Sequence, residues 1–188
     1  VSVESISLSD EAIIEAIVQD GQSDLYGHLY DRYSDKVFRK CIGFAKDKDI
    51  AQDMVQDIFL KVFFQLPKFK FKSKFSTWLY AITYNFCVEY YRKTSKYTHT
   101  DIDNQPDTAD DSADEQELLQ TQTGLLKRAL EIISPDDKAI LLMKYQDDAS
   151  IKEIETTLGI SESAVKMRLS RARLRAKEAI ESLEEKMN

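Results

Sequence analysis

Histidine is nearly missing from this sequence. Of 188 residues only His28 and His99 are histidines, and neither stands at a spacing that lets imidazoles share a metal ion. Cysteine is as rare. Cys41 and Cys87 lie far apart, form neither a C-x-x-C pair nor a disulfide framework, and fall in apolar helical stretches, so they read as buried, reduced thiols. That usage points to a cytoplasmic protein. Five glycines and three prolines are too few for a turn-rich β protein and favour helix. There is no glycine-rich phosphate loop and no recognisable nucleophile arrangement. No apolar run approaches the roughly 18 residues of a membrane span, so no membrane insertion is expected. The N-terminal stretch VSVESISLSDEAII lacks the basic start and long apolar core of a signal peptide. These gaps leave no expected catalytic residue, metal or cofactor, and an enzyme is not the expected class.

Charge, by contrast, is plentiful and unevenly placed. The formal net charge is -7, yet Lys61 to His99 holds eight basic residues and one acid, Glu89. Thr100 to Glu117 holds eight acids and no base. Ser161 to Lys177 holds six basic residues and one acid, Glu162. Two basic patches flank an acidic tract. Such patches are the usual footprint of a nucleic-acid binder, although either patch alone could be a solvated helix face.

Periodicity gives an all-α organisation. Ser9, Asp10 and Glu11 suit a helix start, and Gly21 a stop. A helix from about Ser23 to Ala45 carries Leu25, Leu29, Tyr33, Val37 and Cys41 at four-residue spacing. A third helix, capped near Asp47 to Asp49, has an apolar face and a polar stripe of Asp53, Gln56, Asp57 and Lys61. Pro67 ends it. A fourth runs from about Phe75 to Lys93. The segment TDIDNQPDTADDSADEQE has too few apolar groups to offset the entropy of ordering and reads as a flexible linker. Beyond it lie a helix over roughly Gln116 to Ile133, one opened by Ser134-Pro135-Asp136-Asp137, and two more.

The last two form the most specific local signal. SIKEIETTL ends at Leu158, Gly159 supplies a left-handed turn, and Ser161 caps the next helix. This is a helix-turn-helix layout. Val165, Leu169, Ala172 and Ala176 face the core, so Ser163, Lys166, Met167, Ser170 and Arg171 become candidates to meet bases in the major groove. Arg168, Arg173 and Arg175 are candidates to hold phosphates.

A second signal is LPKFKFKSKFSTW, residues 66 to 78, with four lysines and three phenylalanines between Lys68 and Phe75. Strict alternation suits a half-buried strand, but such a strand would be alone among helices. A loop holding rings and cations together suits single-stranded nucleic acid, where rings stack on bases and lysines attract the backbone. Phe69, Phe71 and Phe75 could equally well close the hydrophobic core.

The order DMVQDIF, LPKF, FSTWLYAITYN, acidic linker and a C-terminal helix-turn-helix ending in RLSRAR resembles the extracytoplasmic-function group of bacterial sigma factors, within the sigma-70 family. The resemblance covers nearly the whole chain. It implies two small helical domains, 1–98 and 118–188, joined by an acidic linker over 99–117. It implies a transcription initiation factor with core RNA polymerase and promoter DNA as partners, and it admits an anti-sigma factor. Asp53, Gln56, Asp57 and Phe59 match the helix that docks on the β′ clamp helices, and the polymerase β subunit is a further expected contact. Phe69, Lys70, Phe71, Lys72, Ser73, Lys74 and Phe75 match the loop that recognises the minus-ten element and holds a flipped base, with Asn85 near that pocket. Lys166, Met167, Ser170 and Arg171 match residues that approach the minus-thirty-five bases. The linker matches a segment that threads the polymerase channel.

The chain also departs from the family pattern. Phe71 and Lys72 stand where many members have a glycine and an acid, Glu155 where alanine is usual, and Ala164 where threonine is common. Two other classes compete: a stand-alone regulator using the helix-turn-helix alone, and a sequestering mimic that binds polymerase without opening DNA.

Overall fold

A computed structural model describes residues 8–45, 47–98 and 115–186. Every regular element among them is helical. The chain divides into two compact units, one built on Val1–Glu89 and the other on Tyr90–Glu155 and Gly159–Asn188, with Thr156–Leu158 grouped with the first.

The first unit begins with α1 (Asp10–Asp20), whose Ser9 cap accepts a hydrogen bond from the Ala12 amide and whose Gly21 closes the C-terminus at φ 69°. That left-handed conformation is nearly free for glycine. A single 3-10 turn, Ser23–Leu25, leads into α2 (Tyr26–Ile42), so the expected single helix starts with a tighter turn. Asp10 fastens α1 to α2: it accepts from Arg32 Nη1 at 2.9 Å and from the Tyr33 hydroxyl. α3 (Lys48–Gln65) starts at Asp47, whose carboxylate accepts from the Ile50 amide. A 3-10 turn, Leu66–Lys68, carries Pro67, and α4 (Phe75–Thr98) follows the loop. Leu29, Val37, Ile58, Leu66, Phe75 and Leu79 are fully buried, each contributing about 1.5–3 kcal/mol of burial. Cys41 and Cys87 are buried free thiols with sulfurs 3.9 Å apart.

The second unit contains α5 (Glu115–Ile132) and α6 (Pro135–Leu141), capped by Ser134. A π-helical segment, Leu142–Gln146, continues α6, the helix that Ser134-Pro135-Asp136-Asp137 opens. α7 (Ile151–Leu158) has a full capping box between Ser150 and Glu153, and α8 (Glu162–Glu185) is capped by Ser161. Both α5 and α6 pack on α8, around Ala129, Ile140, Ile154, Val165 and Ala172. Of the linker expected over 99–117, residues 99–114 lie outside the described residues, and 115–117 open α5.

Candidate nucleic-acid interface

The loop between Pro67 and α4 sorts its aromatic rings by depth. Phe69 continues the 3-10 turn in extended conformation, its amide donating to the Leu66 carbonyl at 3.0 Å. Its ring is 8% exposed, and Phe75 is 1% exposed. Phe69 meets Trp78 at 5.1 Å between centroids and Phe75 at 6.0 Å, and Phe75 meets Tyr33 edge-on at 5.5 Å. Of the two roles open to Phe69 and Phe75, holding a base or bracing the loop, this packing is that of braces.

Phe71 differs. Its backbone has φ 54°, a conformation in which the Cβ of an L residue crowds the following carbonyl, at about 1–2 kcal/mol. Glycine, which the resemblance leads one to expect here, would adopt it freely. The Phe71 ring tilts against Phe69 at 4.8 Å yet leaves the residue 43% exposed. Lys68, Lys70, Lys72 and Lys74 are all exposed, Ser73 is half-buried, and Asn85 is exposed on α4. The Lys74 carbonyl accepts from the Thr77 and Trp78 amides at 3.1 and 3.3 Å and so starts α4.

On α3, Asp53, Gln56 and Asp57 are exposed, as the polar stripe requires. Phe59 is not on that surface. It is 3% exposed, with Tyr30 against its ring at 4.7 Å and the Tyr26 hydroxyl donating to its carbonyl at 2.6 Å. Burial holds the Tyr26 hydroxyl pKa well above the ordinary range. Tyr26, Tyr30, Gln56, Phe59, Leu60 and Phe63 line a groove of about 420 Å³, and beyond it Phe64 is 71% exposed. Sequence patterning did not reveal this groove. The signal is nonetheless there: Tyr26 and Tyr30 are one helical turn apart, and Leu60, Phe63 and Phe64 exceed what one buried face of α3 can hold.

In the second unit, Gly159 takes φ 65°, and its amide donates to the Glu155 carbonyl at 2.8 Å. That turn sets α8 after α7. Glu155 is half-buried, as is Ala164. On α8, Val165, Leu169, Ala172 and Ala176 are buried, whereas Ser163, Lys166, Met167, Arg168, Ser170, Arg171, Arg173 and Arg175 are all exposed. Met167, at 51% exposure, and Leu174, seven positions on at 57%, are apolar residues on the mostly polar outer face. Arg173 Nε donates to the Leu169 carbonyl at 3.3 Å, and two other cations of this set are ion-paired. Lys166 Nζ lies 2.6 Å from Glu162 Oε1, and this lysine holds the Glu162 carboxyl below the usual carboxylate range. Arg175 Nη1 lies 2.6 Å from Asp137 Oδ2, and Asp137 is 7% exposed. Arg175, expected as a phosphate contact, thus joins α8 to the start of α6. No spacing rule reveals a pair 38 positions apart.

Comparison with known proteins supplies the context for both surfaces. The Sigma-70 region 2 profile matches residues 29–97, which contain the loop and α3, and the Sigma-70, region 4 profile matches residues 123–175, which contain α7 and most of α8. The RNA polymerase sigma factor YlaC of Bacillus subtilis is 29% identical over 162 residues, covering 85% of this chain and 91% of YlaC. The ECF RNA polymerase sigma factor SigW of the same organism is 27% identical over 168 residues, covering 83% and 89%. Among solved structures, CnrH in complex with the cytosolic domain of CnrY aligns at TM-score 0.61 with 20% identity, covering 90% of this chain and 96% of that one. The sigma factor RpoE of Bartonella quintana, solved with the anti-sigma factor NepR, aligns at TM-score 0.55 with 22% identity, covering 85% and 98%. With the Sigma-70 region 2 match over the aromatic-lysine loop, the region 4 match over the helix-turn-helix, and sigma-factor relatives matched along most of their own length, the chain belongs to the sigma-70 family, in its extracytoplasmic-function group.

Proposed function

We propose that this protein is a promoter-specificity factor: it binds core RNA polymerase, directs it to particular promoters and helps open the DNA. The observation that carries this reading is the pairing, in one chain, of an exposed aromatic-lysine loop with a helix whose outer face is basic. The loop suits an unpaired strand, and α8 suits a duplex groove.

In this reading residues 1–98 form the domain that docks on polymerase and meets the minus-ten element. Asp53, Gln56 and Asp57 face the β′ clamp helices, and Phe59 supports that face from beneath. Residues 99–117 form the acidic connection through the polymerase channel, and residues 118–188 read the minus-thirty-five element. Ser163, Lys166, Met167, Ser170 and Arg171 approach bases, and Arg168 and Arg173 hold phosphates. Arg175 serves α8 itself through Asp137. The protein performs no chemistry of its own, because phosphodiester synthesis belongs to polymerase. No helix among the described residues is long and apolar enough to cross a membrane, and the protein works in the cytoplasm, where polymerase is. An anti-sigma factor is a further partner, as in the RpoE–NepR complex.

The test is reconstitution with a bacterial core RNA polymerase. The expected result is co-elution on a sizing column and transcripts from promoters selected out of a random-sequence library. Specific duplex binding by the free protein, without polymerase, would make it a stand-alone regulator. Co-elution without promoter opening would make it a mimic.

A further inference from the structure

Cys41 and Cys87 are the only cysteines of the chain, and they meet. Both residues are 0% exposed, and the Cys87 thiol donates toward the Cys41 sulfur at 3.9 Å. Packing alone accounts for two cysteines in a core. It does not account for their facing each other across two helices, Cys41 in α2 and Cys87 in α4. A disulfide needs its sulfurs about 2.0 Å apart. Each sulfur has to move by roughly 1 Å, which a small rotation about its Cα–Cβ bond supplies.

The two positions are not equivalent. Cys41 lies in the last turn of α2, one residue before its C-terminal Ile42. Its carbonyl accepts from the Phe44 and Ala45 amides at 2.8 and 2.9 Å, where the helix unwinds through Gly43. Helix ends open locally more readily than helix interiors, and Cys87 is well inside α4. Lys40 is only 6% exposed, with its ammonium 4.2 Å from the Tyr80 ring centroid. The hydrogen bond with Cys41 and burial push the Cys87 thiol pKa up, and the Lys40 charge opposes them. A cation is thus already in place to favour the Cys87 thiolate once the Cys41 thiol has reacted.

We propose that Cys41 and Cys87 are a redox-modification site, converted to a reversible disulfide by a hydroperoxide, with Cys41 taking the oxidant and Cys87 resolving it. The Cys41 thiolate attacks one peroxide oxygen, the O–O bond breaks, and the other oxygen leaves as water or alcohol with the thiol proton. Cys41 is then a sulfenic acid. The Cys87 thiolate attacks that sulfur, the S–S bond forms, the S–O bond breaks, and the oxygen leaves as water with the second thiol proton. The thiols give up two electrons and the peroxide accepts them. A dithiol reductant reverses the bond by exchange. In a reducing compartment such a disulfide is transient, as redox-sensing disulfides are. Burial makes the reaction slow, so the pair records sustained rather than passing exposure. The bond closes a ring around α3 and the aromatic-lysine loop. The inference does not rest on the initiation-factor reading.

The experiment uses the full-length protein, reduced, desalted and exposed to hydrogen peroxide. At intervals it is denatured in N-ethylmaleimide, digested and analysed by mass spectrometry. The expected result is loss of both titratable thiols together, a linked Cys41–Cys87 peptide lighter by two hydrogens, and full recovery with dithiothreitol. This readout needs no variant, so a folding defect cannot imitate a negative. Thiols unchanged under prolonged excess peroxide, sulfinic or sulfonic acid without a linked peptide, or a bond between two chains would each overturn the proposal. Oxidised protein should also unfold at higher urea than reduced protein, because the cross-link restricts the unfolded chain. A lower urea midpoint would show that the native fold does not accommodate the bond. With Cys87→Ala, dimedone should capture a sulfenic acid at Cys41, whereas with Cys41→Ala the Cys87 thiol should label more slowly. Faster labelling at Cys87 would overturn the assigned order.

Discussion

Phe71 and Phe75 are four positions apart and have opposite effects on stability. Phe75 is 1% exposed and contacts Tyr33, Phe69 and Trp78, so Phe75→Ala should destabilise the first unit by about 3–5 kcal/mol. Phe71→Gly should stabilise it by about 1 kcal/mol, because glycine removes the left-handed strain. Urea unfolding of the two variants beside the parent checks both signs. The sequence could not separate these rings. In strict alternation Phe69, Phe71 and Phe75 share one side, and only the positive φ at Phe71 breaks that parity. The cysteines were more legible: apolar neighbours at helical spacing placed Cys41 and Cys87 inside, and both are buried. The contact with Cys41, together with burial, pushes the Cys87 thiol pKa up, so little of it is thiolate at neutral pH. Native protein should therefore react slowly with a thiol reagent such as dithionitrobenzoate and release two equivalents only on denaturation. Rapid reaction of either thiol in the native state would contradict this burial.

Helix starts and stops were the most readable elements. Ser9, Asp47, Ser134 and Ser161 cap where side-chain chemistry says they should, and Gly21 and Gly159 close helices in the left-handed conformation. The π-helical turn after α6 was not readable, because five residues of apolar pattern do not distinguish an i→i+5 ladder from an i→i+4 one. Nor was the state of α8's cations. Glu162 sits one turn before Lys166 and pairs with it, an arrangement helices favour for geometry and dipole alike. In the proposed reading, DNA competes with that carboxylate for the lysine. Glu162→Gln should therefore tighten binding of polymerase-bound protein to duplex upstream DNA and steepen its salt dependence by about one counterion. Lys166→Ala should weaken binding by about 1–3 kcal/mol, concentrated at one base position. Fluorescence anisotropy at several salt concentrations distinguishes these outcomes, and a Glu162→Gln variant with an unchanged salt slope would place Lys166 away from the DNA.

For the whole molecule, segregation of charge is legible in the order of the residues, since a net charge of -7 coexists with two basic stretches. The pH response is not, because it depends on burial. Tyr26 and Tyr33 both have pKa values raised mainly by burial, with the Asp10 contact adding to Tyr33, and Cys87 is raised as well. All three lie in the first unit. A folded-state pKa above the unfolded one gives stability that is complete below the unfolded value and is lost as pH rises through the folded value. Loss should begin near the ordinary thiol pKa of about 8.5 and steepen near the tyrosine value of about 10. Thermal melts between pH 7 and pH 11 should show the first unit softening over that window. Tyr26→Phe and Tyr33→Phe should lower its starting stability but flatten the slope, whereas a slope unchanged by both would assign the softening to other groups.

The enclosure of both thiols has a practical side. With Cys41 and Cys87 shut inside the first unit, the native surface is chemically blank to maleimides. A cysteine introduced at Ser73 or Ser170 would be the sole fast-reacting handle on the molecule. A single dye could then be attached beside the lysine-rich loop or on the outer face of α8, with no background to subtract. The protein thus comes ready for single-molecule fluorescence without prior removal of its own sulfur.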